Sequence, residues 1–278
     1  MTEPMTIRAR LDAPIKVVRD ALTTKQALET WLAEHAEVEL PHRLEFWGRY
    51  TPEGDAPHQT LVHADDTSIR FTWLLDGTET TTEITLAEQA SDKTIVTLTQ
   101  THVDTQEAMA ETSVIGVLYT YWVLALANLA DYVAGRTITA RIDFTTPVLR
   151  QEITIHAPVA EVYDSLIDDK KASEWFGFPI GIEPEVGGRF AMGGFDNPQP
   201  AKIVDLEPNR RMSVDWGPNG ISTWELDGSE GETRLTFVQS GFGTPRTPYG
   251  AWGGTLAGIA ELRRYHELEN WQPIWLAA

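Results

Sequence analysis

The sequence predicts an α+β protein that contains two tandem copies of one domain. Three observations support this prediction: segments that alternate between apolar and polar residues, an internal repeat, and a long helical segment at the end of each copy. Alternation with a period of two is typical of antiparallel strands with one buried face. The chain has 278 residues, the length of about two domains, so two copies account for nearly all of it.

The internal repeat consists of matching residues that occur in the same order in both halves of the chain. The offset between the copies shrinks gradually, as expected if the second copy has shorter loops. We therefore predict one domain over residues 1–139 and a second over residues 147–278, with the boundary around Gly135 and Pro147. The matches include Ala13-Pro14-Ile15 with Ala157-Pro158-Val159, Trp31 with Trp175, Phe46 with Phe190, Thr97-Leu98-Thr99-Gln100 with Thr236-Phe237-Val238-Gln239, and Trp122 with Trp252.

Each copy begins with a short strand that is followed by two short helices. The predicted strands are the alternating segments Ile7 to Leu11 and Gln151 to Ile155. Proline is tolerated in the first turn of a helix, so Pro14 and Pro158 mark the starts of two amphipathic helices. In each copy a second short helix is expected to end at Trp31-Leu32 or at Trp175-Phe176.

Several alternating strands follow the short helices. Asp76-Gly77, Asp227-Gly228 and Glu230-Gly231 supply the turns between them, because these dipeptides favour tight turns. An antiparallel sheet is therefore predicted in each copy. The residues expected to share a face within a strand are Phe71, Trp73 and Leu75; Met212, Val214 and Trp216; and Leu235 and Phe237.

A long helix closes each copy. The two helices are predicted to run from about Gln106 to Val133 and from about Pro248 to Glu267. The first has no charged residue from Thr112 to Ala130, which is close to the length of a membrane span. Polar residues interrupt this segment and no basic cluster lies beside it. We therefore expect a core helix that covers the concave face of the sheet.

The chain is strongly acidic and contains no cysteine. Forty-one Asp and Glu residues against 22 Lys and Arg residues give a net charge of −19, which repels the phosphates of nucleic acids and anionic membranes. The lack of cysteine excludes disulfides, thiolate metal sites and cysteine nucleophiles. The N-terminal residues do not resemble a signal peptide. We therefore expect a cytoplasmic protein with neither nucleic acid nor a membrane as a partner.

Catalytic and metal-binding motifs are not evident. The seven histidines lack the His-Glu-x-x-His spacing, and His58 and His63 are expected on opposite faces of one strand. No Gly-x-Ser-x-Gly elbow or P-loop motif occurs. Neighbouring acidic residues are expected on the surface of a chain with this charge. We predict no metal site, no cofactor and no catalytic residue.

The second copy carries segments that resemble a known family. Ser173-Glu174-Trp175-Phe176-Gly177, the segment from Gly231 to Thr236, Gln239-Ser240-Gly241-Phe242 and Trp252 are similar to the pattern of the Activator-of-Hsp90-ATPase-homologue-1-like family. The first copy resembles it more weakly, because Trp31-Leu32 replaces Trp-Phe-Gly. The resemblance implies a helix-grip fold of the START-like (SRPBCC, Bet v 1-like) group, in which a curved antiparallel sheet wraps a long C-terminal helix. Its members share a packing pattern and not a catalytic set.

An aromatic set in the second copy provides the candidate ligand-binding residues. These side chains form either a packed core or the wall of an apolar ligand cavity, as in relatives of this fold group. The last helix contains Gly250, Gly253, Gly254 and Gly258, and each costs about 1 kcal/mol relative to alanine. We expect these glycines to leave space for a cavity in the second domain, with the first domain mainly structural. The candidates are Trp175, Phe176, Phe178, Phe190, Met192, Trp216, Trp224, Phe237 and Trp252.

The expected function is non-catalytic binding of a small apolar or aromatic molecule in the cavity of the second domain. One alternative, implied by the family name, is a co-chaperone or stress-related interaction module with a chaperone as its partner. Another is a cyclase- or hydratase-type enzyme of the START-like group. Such an enzyme would need an inward-facing acid or base, but alternation places Asp215 and Arg189 on the faces opposite Trp216 and Phe190.

The segment from Asn270 to Leu276 is unusually apolar. If exposed, it would form an adhesive surface patch. We expect it to dock on the first domain, and docking on a partner subunit is the alternative.

Overall fold

The structure is a computed structural model that describes residues 4–103, 114–243 and 246–277. It confirms the α+β class and the two helix-grip copies, each with an antiparallel sheet, two short helices and a long closing helix. The chain divides into two compact units. The first comprises Met1–Thr145, Tyr249–Ala257 and Ile274–Ala278, and the second comprises Thr146–Pro248 and Gly258–Pro273. The first half of the last helix and the C-terminal tail thus belong to the first unit.

The first unit contains a six-stranded antiparallel sheet in the order β15-β1-β7-β6-β5-β4, where β15 is the tail strand Trp275–Leu276 and β2 and β3 form a separate hairpin. The closing helix α3 is described from Val114, so the part of the predicted helix before that residue lies outside the described residues. The elements are β1 Met5–Leu11, α1 Ile15–Thr23, α2 Lys25–Trp31, β2 His35–Glu39, β3 Arg43–Trp47, β4 Gln59–Ala64, β5 Ser68–Leu75, β6 Thr78–Ala90, β7 Lys93–Gln100 and α3 Val114–Val133.

The second copy contains a seven-stranded antiparallel sheet in the order β8-β14-β13-β12-β11-β10-β9. A short 3-10 turn at Gly217–Asn219 separates β12 from β13. The elements are β8 Leu149–Ile155, α4 Val159–Ile167, α5 Asp169–Phe176, β9 Ile180–Ile182, β10 Arg189–Met192, β11 Ala201–Glu207, β12 Arg211–Asp215, β13 Ile221–Ser229, β14 Glu232–Ser240, α6 Tyr249–Glu267 and β15 Trp275–Leu276.

The core of the first unit surrounds helix α3. Trp122 of this helix is fully buried together with Trp31 of α2 and Trp73 of β5. Among the described residues, α3 is the helix whose length and composition would allow it to cross a membrane, but 78% of its apolar window is buried inside the protein. Burial in the core therefore explains its uncharged sequence, as expected.

The segment that follows α3 is fixed to the first unit by a buried amide. The Asn128 Nδ2 group donates to the carbonyl oxygen of Ala140 at 2.6 Å, and its Oδ1 accepts from the backbone N–H of Thr139 at 3.2 Å. Arg141 then donates to two backbone carbonyl oxygens near the end of α2, at 2.9 and 2.8 Å. These bonds satisfy backbone groups that a connecting segment would otherwise leave to water.

The two copies repeat the same buried hydrogen bonds, which gives the sequence repeat a physical meaning. In each copy, the tryptophan at the end of the second short helix donates its indole N–H to a carbonyl in the first. A strand threonine donates to the carbonyl of the alanine before the Ala-Pro helix. The bonds are Trp31 to Ala21 (3.0 Å), Trp175 to Ser165 (2.8 Å), Thr94 to Ala13 (2.8 Å) and Thr233 to Ala157 (2.7 Å).

The C-terminal tail docks on the first domain, as expected. Its strand β15 pairs antiparallel with β1, with Arg8 opposite Leu276. Ile274 is buried in the core of the first unit, and its carbonyl oxygen accepts from the backbone N–H of Arg10 at 2.7 Å. The apolar tail is therefore the sixth strand of the sheet and not an exposed patch.

The interpretation that the glycines of α6 leave open space is wrong for the three whose surroundings are described. A Cβ atom on Gly253 would lie 2.6 Å from Ile142 Cδ1, and one on Gly254 would lie 3.3 Å from Thr120 Cγ2. A Cβ atom on Gly258 would lie 2.6 Å from Phe176 Cε2. These glycines are sites of close approach, because neighbouring side chains occupy the space that a Cβ atom would need.

Replacement of Gly258 by alanine tests this close approach. Alanine gains about 1 kcal/mol in helix propensity, but its Cβ atom displaces the Phe176 ring, and overpacking costs about 1–3 kcal/mol. We expect Gly258→Ala to lower the free energy of unfolding, measured with urea, and Gly254→Ala to change it less. Equal stabilisation by both substitutions would contradict the packing at Gly258.

Candidate functional site

The structure buries most of the aromatic residues selected from the second copy. Five are buried, three are half-buried and one, Phe178, is 46% exposed. Phe178 therefore does not belong to a covered face of the sheet. The buried residues are Trp175, Phe190, Trp224, Phe237 and Trp252, and the half-buried ones are Phe176, Met192 and Trp216.

Four of these residues, Phe190, Trp216, Trp224 and Phe237, form the second-domain aromatic cluster. The Trp224 ring stacks on Phe190 with centroids 6.5 Å apart and contacts Phe237 at 4.8 Å. Trp216 meets Phe190 edge-on at 5.6 Å, and its indole N–H donates to Ser222 Oγ at 2.6 Å. The rings contact one another and the indole of Trp216 has a partner, which is the arrangement of a packed wall.

Trp175 and Phe176 form a separate aromatic pair. Their ring centroids are 5.3 Å apart, and both approach Gly258. Trp252 belongs to the first unit. The structure therefore divides the candidates between at least two places, and the prediction that they bind a ligand together stays a prediction.

The two polar residues considered for catalysis bond to neighbouring groups at the surface. Arg189 donates from Nε and Nη2 to Glu183 Oε1 at 3.0 and 2.7 Å. This pair raises the pKa of Arg189 and lowers the pKa of Glu183. Asp215 accepts from the backbone N–H of Gly217 at 2.8 Å. Neither geometry indicates an acid or base that faces the aromatic cluster.

The interior of the first domain contains a second aromatic group, which includes Trp73, Phe46, Tyr121 and Trp122. Trp73 lies at its centre, with ring centroids 5.3 Å from Phe46, 5.9 Å from Tyr121 and 6.0 Å from Trp122, all in edge-on contacts. Trp73 is on the inner face of β5, and Tyr121 and Trp122 are on α3. The group therefore connects the sheet to the helix that it grips.

Next to this aromatic group lies a small apolar cavity of about 20 Å³. Its walls are apolar side chains from the two short helices, the sheet and α3, including Leu28, Phe71 and Trp122. Apolar cavities of this kind stay dry because a water molecule there would lack partners. The cavity lies in the first domain, whereas the sequence suggested a cavity in the second.

Among the described residues of the first domain, four buried side-chain atoms have no hydrogen-bond partner by distance and angle: Thr51 Oγ1, Trp73 Nε1, the Tyr121 hydroxyl and Thr139 Oγ1. We call Thr51, Trp73 and Tyr121 the buried polar trio. Their relative exposures are 2%, 0% and 4%. Burial raises the pKa of Tyr121, and an interaction with the adjacent Thr51 side chain offsets only part of this rise. The phenol therefore stays a neutral donor and acceptor, and the two hydroxyls have at most each other as partners.

A neighbouring polar residue shows the contrast. The Gln100 Oε1 atom accepts from Thr82 Oγ1 at 2.6 Å and from Trp122 Nε1 at 3.2 Å. Buried polar groups are satisfied in this way in most proteins, and each exception calls for a physical explanation. The atoms of the trio, with Thr139 Oγ1, are such exceptions among the described residues of this domain.

Sequence reasoning missed the trio. The alternation in β5 predicts only that Trp73 shares a face with Phe71 and Leu75, and the apolar sequence of α3 predicts only that the helix is buried. A sequence pattern can predict that a polar aromatic residue is buried, but it does not show whether a hydrogen-bond partner reaches the polar atom.

Among the described residues, the structure shows no group of three His, Asp or Glu side chains that could hold a metal ion.

The sequence profile of the Activator of Hsp90 ATPase homolog 1-like protein family matches residues 12–134 and 156–264. No curated protein sequence matches the chain.

Solved structures similar to this chain include two that span nearly all of it and one that spans about half. DynU16, a putative protein in the dynemicin biosynthetic locus, is 15% identical over 94% of this chain and 97% of its own, with a TM-score of 0.39. The di-domain ARO/CYC BexL from the BE-7585A biosynthetic pathway is 15% identical over 96% of this chain and 100% of its own, with a TM-score of 0.37. EF2215 from Enterococcus faecalis, a conserved protein of unknown function, is 23% identical over 45% of this chain and 74% of its own, with a TM-score of 0.40.

Substitution of Tyr121 by phenylalanine tests whether its hydroxyl lacks a partner in the free protein. A buried hydroxyl without a partner costs about 1–3 kcal/mol, so Tyr121→Phe should raise the free energy of unfolding. The control Gln100→Met removes an acceptor with two donors and should lower it by a similar amount. If both variants lose stability equally in urea titrations, the hydroxyl of Tyr121 has a partner in the folded protein.

Proposed function

The chain belongs to the Activator of Hsp90 ATPase homolog 1-like family, and on that premise we propose that it binds a small, largely apolar molecule without chemical conversion. The proposed site lies between the sheet and the gripped helix of the first domain. The observation that carries the proposal is the buried polar trio. In an apolar interior, the indole N–H of Trp73 lacks a protein partner, and the hydroxyls of Thr51 and Tyr121 have at most each other.

The trio specifies the kind of ligand. The indole N–H of Trp73 can only donate, whereas the hydroxyls of Thr51 and Tyr121 can donate and accept. The aromatic faces of Phe46 and Trp122 nearby favour a flat, apolar body. The proposal is therefore an aromatic molecule with at least one oxygen, such as a phenol or a ketone, that enters with the oxygen towards the trio.

The energetic argument rests on the cost of leaving polar atoms without partners. Each unsatisfied buried group costs about 1–3 kcal/mol, and a ligand that supplies a partner removes this cost on binding. Small-molecule sites in proteins typically combine apolar walls with a few placed polar groups. The interior of the first domain has both.

Binding requires the interior to open. The described cavity of about 20 Å³ shares Phe46 and Trp122 with the aromatic group but is not lined by the trio. Its volume is far smaller than the ~300 Å³ or more of typical ligand pockets. The rings around Trp73 must therefore move apart when a ligand enters. Because Trp73 and Trp122 lie in this group, their fluorescence should report the movement.

The second-domain aromatic cluster remains a predicted alternative location, although its rings contact one another. A co-chaperone role and a cyclase or hydratase activity also stay predictions. No arrangement among the described residues favours either of them over simple binding. A Thr51→Val/Tyr121→Phe variant distinguishes binding at the first-domain site from binding at the second-domain cluster, because it changes only the first.

Native mass spectrometry of the purified protein is the first experiment. We expect an extra mass that disappears on denaturation and that belongs to an aromatic compound containing oxygen. The same measurement on the Thr51→Val/Tyr121→Phe variant should show less of this mass. If the variant retains the same extra mass, the bound molecule does not depend on the trio and the proposed site is wrong.

A pair of probes tests the ligand class directly. We expect 2-naphthol to bind about tenfold more tightly than naphthalene, since one net hydrogen bond corresponds to about 1 kcal/mol or more. Tryptophan fluorescence titration measures both affinities. The Thr51→Val/Tyr121→Phe variant should lose most of the preference, and the exposed-site control Tyr119→Phe should keep it. Equal binding of both probes to the unchanged protein would contradict the proposal.

A further inference from the structure

Strand β8 forms an edge of the second sheet. In the first sheet, the equivalent strand β1 lies between β7 and the tail strand β15. Within the part of the chain that the structure describes, β8 pairs with β14 alone. Of these two equivalent strands, β1 is therefore covered by the chain's own tail, whereas the described residues leave β8 at an open edge. Open edges present unpaired backbone groups that can accept another strand.

The side chains of β8 alternate strictly between the two faces. Leu149, Ile153 and Ile155 are buried, and Arg150 and Glu152 are exposed. Arg150 Nη2 donates to Glu152 Oε1 at 2.8 Å, with side-chain exposures of 49% and 53%. A pair this exposed contributes little to stability, so both side chains are available to other partners at small cost.

This alternation is self-complementary in one antiparallel register. If two copies of β8 pair about a two-fold axis that places Gln151 opposite its own equivalent, Arg150 of each copy lies opposite Glu152 of the other. The same register places Leu149 opposite Ile153 on the inner face. Opposite charges and apolar residues directly across a strand pair are both favourable. A register centred on Glu152 would instead place two carboxylates opposite each other.

We propose that the open edge of the second sheet binds a second copy of this chain, through antiparallel pairing of β8 with β8 centred on Gln151. The contact is isologous, because the same residues are used by both copies. This proposal is independent of ligand binding by the first domain.

The surroundings of β8 permit the exchange of ion-pair partners. Arg150 and Glu152 line a shallow groove of about 430 Å³ on the outer face of the sheet. Thr236 on the neighbouring strand β14 lies opposite Glu152 in the sheet and carries no charge, so it offers Glu152 no ion pair that would compete with a second copy. Val148, directly before β8, is 68% exposed, and the same register places it opposite Thr154 of the second copy.

The charges of the edge also explain why the partner is another copy and not an arbitrary strand. Charged side chains on edge strands disfavour pairing with unrelated strands. In the proposed register these charges are matched, so the same residues that disfavour other partners favour this one. The partner is therefore specified by charge order along the strand.

Analytical ultracentrifugation of the full chain, from low micromolar to submillimolar concentrations, tests the proposal. We expect a reversible dimer. Arg150→Glu and Glu152→Arg should each weaken dimerisation at least about tenfold, because two attractive pairs become two repulsive pairs. The Arg150→Glu/Glu152→Arg variant reverses both charges and should restore dimerisation to within a few-fold of the unchanged protein.

The matched control is Arg234→Glu, which makes the same charge change on the outer face of the neighbouring strand β14. This variant should keep the dimer, because Arg234 pairs with Asp227 inside one copy. A chain that stays monomeric throughout the concentration series would overturn the proposal. So would a dimer that survives both single substitutions, or a double variant that remains as weak as the single ones.

Discussion

The burial of helix α3 is the constraint on which the first domain depends. A helix without charged residues along most of its length must be covered on nearly every side, and the sheet, the two short helices and the segment after α3 together provide that cover. Asn128 illustrates how complete the cover is, since both polar atoms of its amide are used to hold the following segment. The buried polar trio lies in the same interior, so covering α3 also removes those three atoms from water.

Much of the fold follows from the sequence because the repeat is carried by physical contacts. The indole of Trp31 and that of Trp175 make equivalent bonds, and the residues around them are constrained in the same way in both copies. The glycines of α6 show the limit of this reasoning. A glycine marks either open space or close approach, and only the positions of Ile142 and Phe176 distinguish the two. The trio could not be found from sequence, because an absent hydrogen bond leaves no pattern.

The two copies differ in their aromatic interiors and at their sheet edges. In the first copy, the aromatic group around Trp73 includes buried polar atoms, and the sheet edge is covered by β15. The second copy has an aromatic cluster whose rings contact one another, and the described structure leaves its β8 edge open. The two domains therefore share one packing scheme. The first is distinguished by the polar atoms in its interior, and the second by the open β8 edge of its sheet.

The pairing of β1 with β15 has a consequence for the order of folding. Strand β1 is formed by residues near the start of the chain, and its partner on one side lies near residue 275. Contacts between residues so far apart in sequence form late, because a long loop must close first. During synthesis, the N-terminal domain must therefore wait with one unpaired edge until the second domain has been made. A chaperone that protects nascent chains would meet this domain in its five-stranded form.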